Sequence, residues 1–197
     1  LPDNPEILEN AEKFSNIVML KKGDKINICR DTIAEVLCGS KNSEEENDNS
    51  MVLLINHRGF KTLFTGDISE NVEKKINRNI DILKVAHHGS KTSTSYELLK
   101  NTRPKIAVIS AGVNNSYGHP HEEVLQNLEK HGIIYYVTSR DGEVDFNIFR
   151  DKLRTGTKIH QEDYYLYILL IFINSILLYR AARENYELQK NLQRWYS

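Results

Sequence analysis

The chain has 197 residues, enough for one globular domain with a sizeable core plus an appended segment. Hydrophobic residues make up 40% of the chain and charged residues 27%, which excludes a disordered or fibrous protein. The net charge of −1 gives no global positive field, so a general nucleic-acid coat protein is excluded while a local positive cleft is not.

The first quarter of the chain predicts a short helix followed by strands. Residues 6–14 are predicted to be helical, and residues 25–29 alternate like a half-buried strand of a hairpin. Residues 33–38 form a further predicted strand that contains Cys38; this cysteine and Cys29 match no zinc or disulfide spacing and are predicted to be buried thiols. The acidic stretch 39–50 is predicted to be a solvated loop.

The middle of the chain alternates between strands and helices. Strands are predicted at 51–55, 61–65, 80–86, 106–110, 133–138 and 144–149, and helices at 69–79 with Ser69 as N-cap, at about 93–101 and at about 121–131. Strands joined both by hairpins and by helices indicate an α/β (α+β) sheet packed against helices and argue against an all-β sandwich.

The composition changes near the C-terminus, where residues 164–179 are almost wholly apolar. As a helix this run would span roughly 24 Å, short of the ~30 Å hydrocarbon core of a bilayer. Tyrosines at both ends, with Arg180 and Arg183 beyond them, suit membrane interfaces. The run therefore predicts either a membrane helix or a helix docked on protein.

Candidate functional residues follow two predicted strands. Asp67 comes after the strand 61–65 and could reach a metal or cap a helix. His87 and His88 end a buried strand, where one ring could ligate a metal while the other faces substrate or a supporting partner. Ser90 and Lys91 follow in a polar turn and carry donors suited to a phosphate oxygen, although a helix N-terminus would also explain them.

A third candidate lies in the loop after the strand 106–110. His119 is fixed between Gly118 and Pro120, and could donate to a developing oxyanion or a leaving oxygen. The ends of successive strands gather on one rim of an open sheet, so the three groups are expected to meet there. Four further histidines are interpreted as isolated or outside these motifs: His57, His121, His131 and His160.

Five segments of the chain form an ordered series: Asn49 to Leu53 (NSMVL), Leu63 to Asp67 (LFTGD), Asp81 to Ser93 (DILKVAHHGSKTS), Pro104 to Ser110 (PKIAVIS) and Asn115 to Pro120 (NSYGHP). This series resembles one known family, the metallo-β-lactamase-like domain that ends ComEC-type DNA-uptake (competence) proteins. The resemblance covers roughly residues 15–146, and its length and order make it more specific than any single motif.

The resemblance implies the C-terminal half of an αββα sandwich of the metallo-β-lactamase type, followed here by the apolar C-terminal helix. It implies two divalent metal ions, zinc or manganese, bridged by Asp67. One of His87 and His88 would be a ligand, with His88 favoured because the family pattern places the ligand directly before the glycine. His119 and Lys91 would be catalytic, and three further residues would bind the phosphate of the substrate: Ser90, Asn115 and Tyr117.

The sequence departs from the family in its metal motif. The family's His-x-Asp-x-Asp-His motif would lie N-terminal to all these segments and does not occur in this sequence. Leu1 is therefore interpreted as a cut within a longer protein, whose preceding half-domain would be a partner.

We expect a partial domain at 1–150, a linker at 151–162 and the apolar, membrane-associated segment at 163–197. The implied function is that of a membrane-associated phosphodiesterase acting on DNA; the alternatives are a hydrolase of another substrate and an inactive module that docks DNA or a channel. If the run 164–179 spans a membrane, the arginines after it would lie on the cytoplasmic side and the hydrolase domain on the extracytoplasmic side.

Overall fold

The structure, a computed structural model, describes residues 20–38, 46–150 and 152–158. Seven strands of these residues form one sheet in chain order, β1 to β7. Two further strands, β8 and β9, form a separate antiparallel hairpin. The strand bounds are Lys25–Cys29, Thr32–Cys38, Val52–His57, Phe60–Phe64, Ile82–Lys84, Ile106–Ile109, Ile134–Val137, Glu143–Phe149 and Lys152–Lys158.

The main sheet is mixed, because its two halves are connected differently. Strands β1 to β4 pair antiparallel, whereas β4 to β7 pair parallel. The helices within the parallel half are α1 (Glu70–Glu73), α2 (Tyr96–Thr102) and α3 (Glu122–Lys130), and a short α4 (Thr138–Asp141) precedes β8. This arrangement confirms the predicted α/β class, in which helical connections bring successive strands into parallel register.

One face of the sheet carries the core. Leu54, Leu63, Leu83 and Ala107 are neighbours in register across β3 to β6, and all are buried. Helices α2 and α3 cover this face with apolar side chains that belong to the same cluster, namely Leu98, Leu99, Val124 and Leu128. The period-2 alternation of the strands therefore points every second residue at the helices.

The opposite face of the parallel half is only partly covered. Phe64, Lys84, Val108 and Tyr136 are neighbours in register on this face, and none of them is fully buried. Phe64 is 41% exposed, and Ile134 at the sheet edge is 61% exposed. Exposed apolar side chains grouped in this way are typical of a surface that can bind another apolar surface.

Two helices differ from their predicted bounds. The helix predicted over 69–79 is reduced to the single turn α1, because residues 74–79 continue in turns and irregular structure. Ser69 occupies the N-cap position, but its hydroxyl donates to Asp48 rather than capping the helix. The helix predicted from residue 93 begins at Tyr96, since the Ser95 side chain is the group that accepts from the Leu98 N–H.

Three polar or thiol groups differ in burial from expectation. The stretch 39–50 was expected to be solvated, but residues 46–49 form a 3₁₀ turn in which Asp48 is buried. Its carboxylate is retained inside because it accepts from the backbone N–H and the hydroxyl of Ser69. Cys29 is exposed and Cys38 is half-buried, so the prediction of two buried thiols is wrong; both are free thiols.

The segment expected to be a linker at 151–162 contains β9, which pairs with β8 from Glu143↔Lys158 to Phe149↔Lys152. The helix predicted at 6–14 and the apolar segment within 163–197 lie outside the described residues. Over the part of the chain that the structure describes, no helix has the length and apolar character needed to cross a membrane.

Candidate functional site

The candidate site lies along the rim where β4, β5 and β6 end. These strands are parallel neighbours, so their carboxyl ends meet at one edge of the sheet. Three loops leave this edge, at residues 65–69, 85–95 and 110–121. Every candidate residue from the sequence lies in one of them, as the motif positions predict.

The loop after β4 places Asp67 against the second loop. Gly66 has φ +58°, and a Cβ there would lie 2.7 Å from the Cβ of Ser50, so this position requires glycine. The Asp67 N–H donates to the Ser50 hydroxyl at 3.2 Å, and the Gly66 carbonyl accepts from the His87 N–H at 3.1 Å. These contacts fix the backbone of Asp67 beside the histidine pair.

His87 and His88 both adopt left-handed backbone conformations, with φ of +46° and +54°. Such a conformation costs of order 1–3 kcal/mol in a residue with a side chain, and it is found most often at functional sites. The Nδ1 atom of His88 lies 2.7 Å from the carbonyl oxygen of Ser110. Because a carbonyl only accepts, Nδ1 carries the proton and the Nε2 lone pair of the exposed ring stays available to a ligand.

A second set of contacts clamps the loop of the histidine pair onto the third loop. Gly89 has φ +83°, and a Cβ there would lie 2.6 Å from the Cβ of Pro120. The Gly89 carbonyl accepts from the His121 N–H at 2.9 Å, and the Lys91 N–H donates to His121 Nδ1 at 3.3 Å. His121 Nδ1 therefore acts as an acceptor, which leaves its Nε2–H as a donor.

The clamp brings three imidazole rings together around His119. Its ring centroid lies 4.9 Å from that of His121 and 5.8 Å from that of His87. The exposed Tyr117 ring stacks on the same ring at 5.8 Å with an interplanar angle of 23°. Desolvation, together with the charges that His121, His87 and His88 would carry, holds the pKa of His119 below its ordinary value.

Asn115 holds His119 in place. Its amide nitrogen donates to the carbonyl of His119 at 2.6 Å and to that of Gly112 at 3.0 Å, and its amide oxygen accepts from the His119 N–H at 2.8 Å. Both amide protons are thereby engaged inside the loop. The structure shows Asn115 shaping the loop, and contact with substrate stays a prediction for this residue.

Ser90 is buried, and its hydroxyl lies 3.1 Å from that of Thr92 in the same loop. Further along, the backbone N–H groups of Thr94 and Ser95 both donate to the fully buried carboxylate of Glu73. Burial raises the pKa of Glu73, while these two hydrogen bonds act in the opposite direction. Glu73 thus anchors the far end of the loop that carries Lys91, whose side chain is exposed.

Lys84 approaches the rim from the partly covered face of the sheet. Its ammonium group donates to the Val85 carbonyl at 3.0 Å. Burial lowers the pKa of Lys84, and the negative charge of Asp67 partly offsets that effect. Lys84 therefore places a half-buried positive charge in the electrostatic environment of Asp67.

The described residues do not by themselves form a metal site. Among them, no three His, Cys, Asp or Glu side chains converge as a metal ion would require. Tight metal sites in proteins use at least three protein ligands. The donors present are of a suitable type, but a metal ion held by Asp67 and His88 would need additional ligands from outside the described part of the chain.

His121 is the rim residue that sequence reasoning missed, since it was interpreted as isolated. Its ring is in contact with His119, and its backbone and ring are both hydrogen-bonded to the loop of the histidine pair. The available signal was the alternation His119-Pro120-His121, which places two rings on one short loop. His57 is away from this rim, and its Nδ1 atom lies 2.6 Å from the Thr32 hydroxyl.

The chain is similar in sequence to several competence proteins. It is 37% identical over 163 residues to ComE operon protein 3 of Bacillus subtilis, covering 79% of this chain and 20% of that protein. It is 39% identical to Recombination protein 2 of Haemophilus influenzae, over 55% of this chain and 14% of that protein. Competence protein ComA of Neisseria gonorrhoeae is 34% identical, over 54% of this chain and 16% of that protein. The chain thus spans about a fifth or less of the length of these relatives.

No protein-family model matches the chain. Among solved structures, a protein from Parabacteroides distasonis that is described as a metal-dependent hydrolase superposes with a TM-score of 0.47 at 15% identity, over 66% of this chain and 61% of that one. The family assignment rests on the competence relatives and on the ordered motifs of the three rim loops. This chain belongs to the family of ComEC-type competence proteins, to which ComE operon protein 3 belongs.

Proposed function

We propose that this chain contributes to a site that hydrolyses phosphodiester bonds of DNA during DNA uptake. The names of the relatives, competence and recombination proteins, support DNA as the substrate. The observation that carries the proposal is the convergence of His87, His119 and His121 beside the Asp67 loop. A cluster of imidazoles next to a carboxylate supplies groups that can both donate and accept protons.

The rim offers two kinds of nitrogen to a substrate phosphate. His121 presents an Nε2–H donor, because its Nδ1 accepts from the Lys91 N–H. Lys91 adds an exposed positive charge on the same loop, and charge-assisted hydrogen bonds of this kind are the stronger class. His119, with its lowered pKa, is largely neutral at pH 7 and can accept a proton as well as donate one.

Asp67 and one of His87 and His88 are proposed as the metal-facing groups of this rim, with His88 favoured. Its Nδ1–H is fixed by the Ser110 carbonyl, which directs the free Nε2 away from the backbone. Two divalent ions, zinc or manganese, would polarise the phosphate and activate water when bound. The described residues supply too few ligands for them, so the metal requirement is a hypothesis about the complete site.

We further propose that the protein acts at the cell membrane, with the hydrolase domain on the extracytoplasmic side. This proposal rests on the apolar run 164–179 and on the arginines that follow it. A protein that meets incoming DNA would be placed suitably by this orientation.

The test is DNA cleavage by the complete product of the gene that encodes this chain, with Mn²⁺ or Zn²⁺ added after chelation. We expect Asp67→Ala to lower the cleavage rate by more than the roughly 10–100-fold that loss of a ligand's supporting partner costs. Asp31→Ala is the matched control, because this exposed carboxylate pairs with Arg58 at the opposite end of the sheet. The control should cleave DNA at the unmodified rate.

Metal content measured on the same samples separates the alternatives. A folded protein that binds no metal and cleaves no DNA would overturn the hydrolase proposal and leave a docking module. Cleavage that persists undiminished in Asp67→Ala would overturn the role of Asp67 while retaining the hydrolase. Metal-dependent cleavage of another phosphodiester, with DNA left intact, would retain the reaction and reject DNA as substrate.

A further inference from the structure

A second concave site lies beside the C-terminal end of α2. It is a groove of about 380 Å³. Its floor is apolar, formed by Leu99, Pro104 and Ile133, which are all buried. An apolar floor of this size favours a flat, hydrophobic group over a hydrated ion.

Two aromatic rings form the wall of this groove, those of Tyr96 and His131. The rings lie 5.0 Å apart between centroids at an angle of 57°, and Tyr96 is 56% exposed. His131 Nδ1 lies 2.8 Å from the carbonyl oxygen of Asn127, so it carries the proton and Nε2 remains free. The wall therefore offers a π-face for stacking together with one uncommitted hydrogen-bonding atom.

Two cations line the same groove. Lys100 and Arg103 are exposed and stand three positions apart at the end of α2. The Lys100 ammonium lies 5.9 Å from the Tyr96 ring centroid. A stacking ring flanked by positive charges is the combination with which proteins hold the bases and phosphates of single-stranded nucleic acids.

The groove connects with the candidate active site through one loop. Lys91 and Tyr96 both line a smaller polar cavity of about 230 Å³, and Tyr96 also lines the groove. The loop between them, residues 92–95, is held by the buried carboxylate of Glu73. Tyr96 therefore borders both the groove and the cavity that reaches Lys91, although Glu70, Glu97 and Glu123 also line that cavity.

We propose that this groove, which we call the Tyr96 groove and define by Tyr96, Lys100, Arg103 and His131, binds a nucleotide of single-stranded DNA next to the hydrolytic rim. The base stacks on Tyr96 over the apolar floor, and the neighbouring phosphates contact Lys100 and Arg103. This inference rests on the proposed function for the choice of DNA as ligand. It adds a binding position outside the residues that face the reacting phosphate.

The test measures binding of a fluorescently labelled oligo(dT) strand to the 197-residue chain by anisotropy, in the presence of a chelator so that no cleavage occurs. Tyr96→Ala should weaken binding by about 10-fold, the order expected for one stacked base. Tyr96→Phe keeps the ring and should bind within about 2-fold of the unmodified chain, since stacking on the ring face does not need the hydroxyl.

The charges are tested separately through salt dependence. Lys100→Ala/Arg103→Ala should flatten the slope of log affinity against log salt by about 1.4, which corresponds to two phosphate contacts on a single strand. The matched control is Lys25→Ala/Arg30→Ala, which removes two exposed charges near β1 at the other end of the strand order. That control should leave the slope unchanged.

Three outcomes would overturn the Tyr96 groove. They are unchanged affinity in Tyr96→Ala, an equal loss of affinity in the control pair, and binding of anionic phospholipid vesicles that Lys100→Ala/Arg103→Ala abolishes while oligo(dT) binding persists. Asp67→Ala should retain full oligo(dT) binding. If the protein binds oligo(dT) through Tyr96 but cleaves no DNA, the hydrolytic proposal fails and this one stands. If it cleaves DNA but binding does not depend on Tyr96, this proposal fails and the hydrolytic one stands.

Discussion

Glu73 is the most deeply buried carboxylate among the described residues, with a relative exposure of 0%. It is retained there because the Thr94 and Ser95 N–H groups donate to its two oxygens at 2.7 and 2.8 Å. Those two amides would otherwise be buried without acceptors at the start of α2, a loss that typically costs about 1–3 kcal/mol each. A single side chain therefore fixes the loop between Lys91 and Tyr96.

Stability should depend on pH through this carboxyl. Desolvation raises the pKa of Glu73 in the folded protein, so the folded state binds more protons than the unfolded state between the two pKa values. Its contribution is complete below the ordinary pKa and is lost as pH rises through the raised one. We expect the stability difference between the unmodified chain and Glu73→Gln to shrink over that range in denaturant titrations. Glu97→Gln, an exposed carboxylate of α2, is the control, and equal pH profiles for both variants would contradict the prediction.

At the scale of elements, the loop of the histidine pair and the loop that carries His119 are held together by backbone contacts as well as by histidine side chains. His87 and His88 are forced into left-handed conformations, and the Gly89 carbonyl then meets the His121 N–H. The absence of a side chain at Gly89 lets Pro120 approach the loop. The spacing of the rings around His119 therefore depends on a glycine that has no chemical role.

Gly89→Ala should separate the two loops and destabilise the domain. A left-handed alanine costs about 1–2 kcal/mol, and the clash with Pro120 adds about 1–3 kcal/mol. Gly132→Ala is the matched control, because Gly132 has φ +67° but nothing lies within 4 Å of the added Cβ. Chemical denaturation should show the larger loss for Gly89→Ala, and equal losses in the two variants would show that Pro120 does not resist the added group.

At the scale of the whole molecule, the two faces of the main sheet differ. One face is closed by α2 and α3, whereas the other carries apolar side chains in register that are only partly covered, among them Phe64 and Val108. Lys84 lies between these two on the same face. An exposed apolar face of this kind can bind another apolar surface, and its strand β4 leads directly into the loop that holds Asp67.

Ile134→Lys should weaken the binding of apolar surfaces to this face and leave the free energy of unfolding nearly unchanged. Ile134 is 61% exposed on the edge strand β7, so the change in unfolding free energy should stay within about 0.5 kcal/mol. Binding of a hydrophobic dye to the folded chain, and its self-association by light scattering, should both fall. Val108→Lys is the comparison, because this half-buried position in β6 should lose about 1 kcal/mol or more. Unchanged dye binding in Ile134→Lys would contradict the prediction.

Much of the fold followed from local patterns. The alternation of apolar residues predicted the seven described strands of the main sheet and the helices α2 and α3 within a few residues, since burial of one face imposes the same period wherever the strand or helix packs. The position of the rim also followed, because Asp67, the histidine pair and His119 each come after a predicted strand of a parallel set.

The sequence alone was therefore sufficient to predict the α/β class and the loops that carry the candidate residues. It was also sufficient to recognise the resemblance to ComEC-type domains. Only the tertiary structure decided that His121 joins the His119 cluster, that Asp48 and Glu73 are buried, and that Tyr96 forms a groove with His131. These features depend on contacts between residues 20 to 35 positions apart, such as Asp48 with Ser69 and Tyr96 with His131. Local periodicity reports which face of an element is buried, but it does not report which distant loop lies against it.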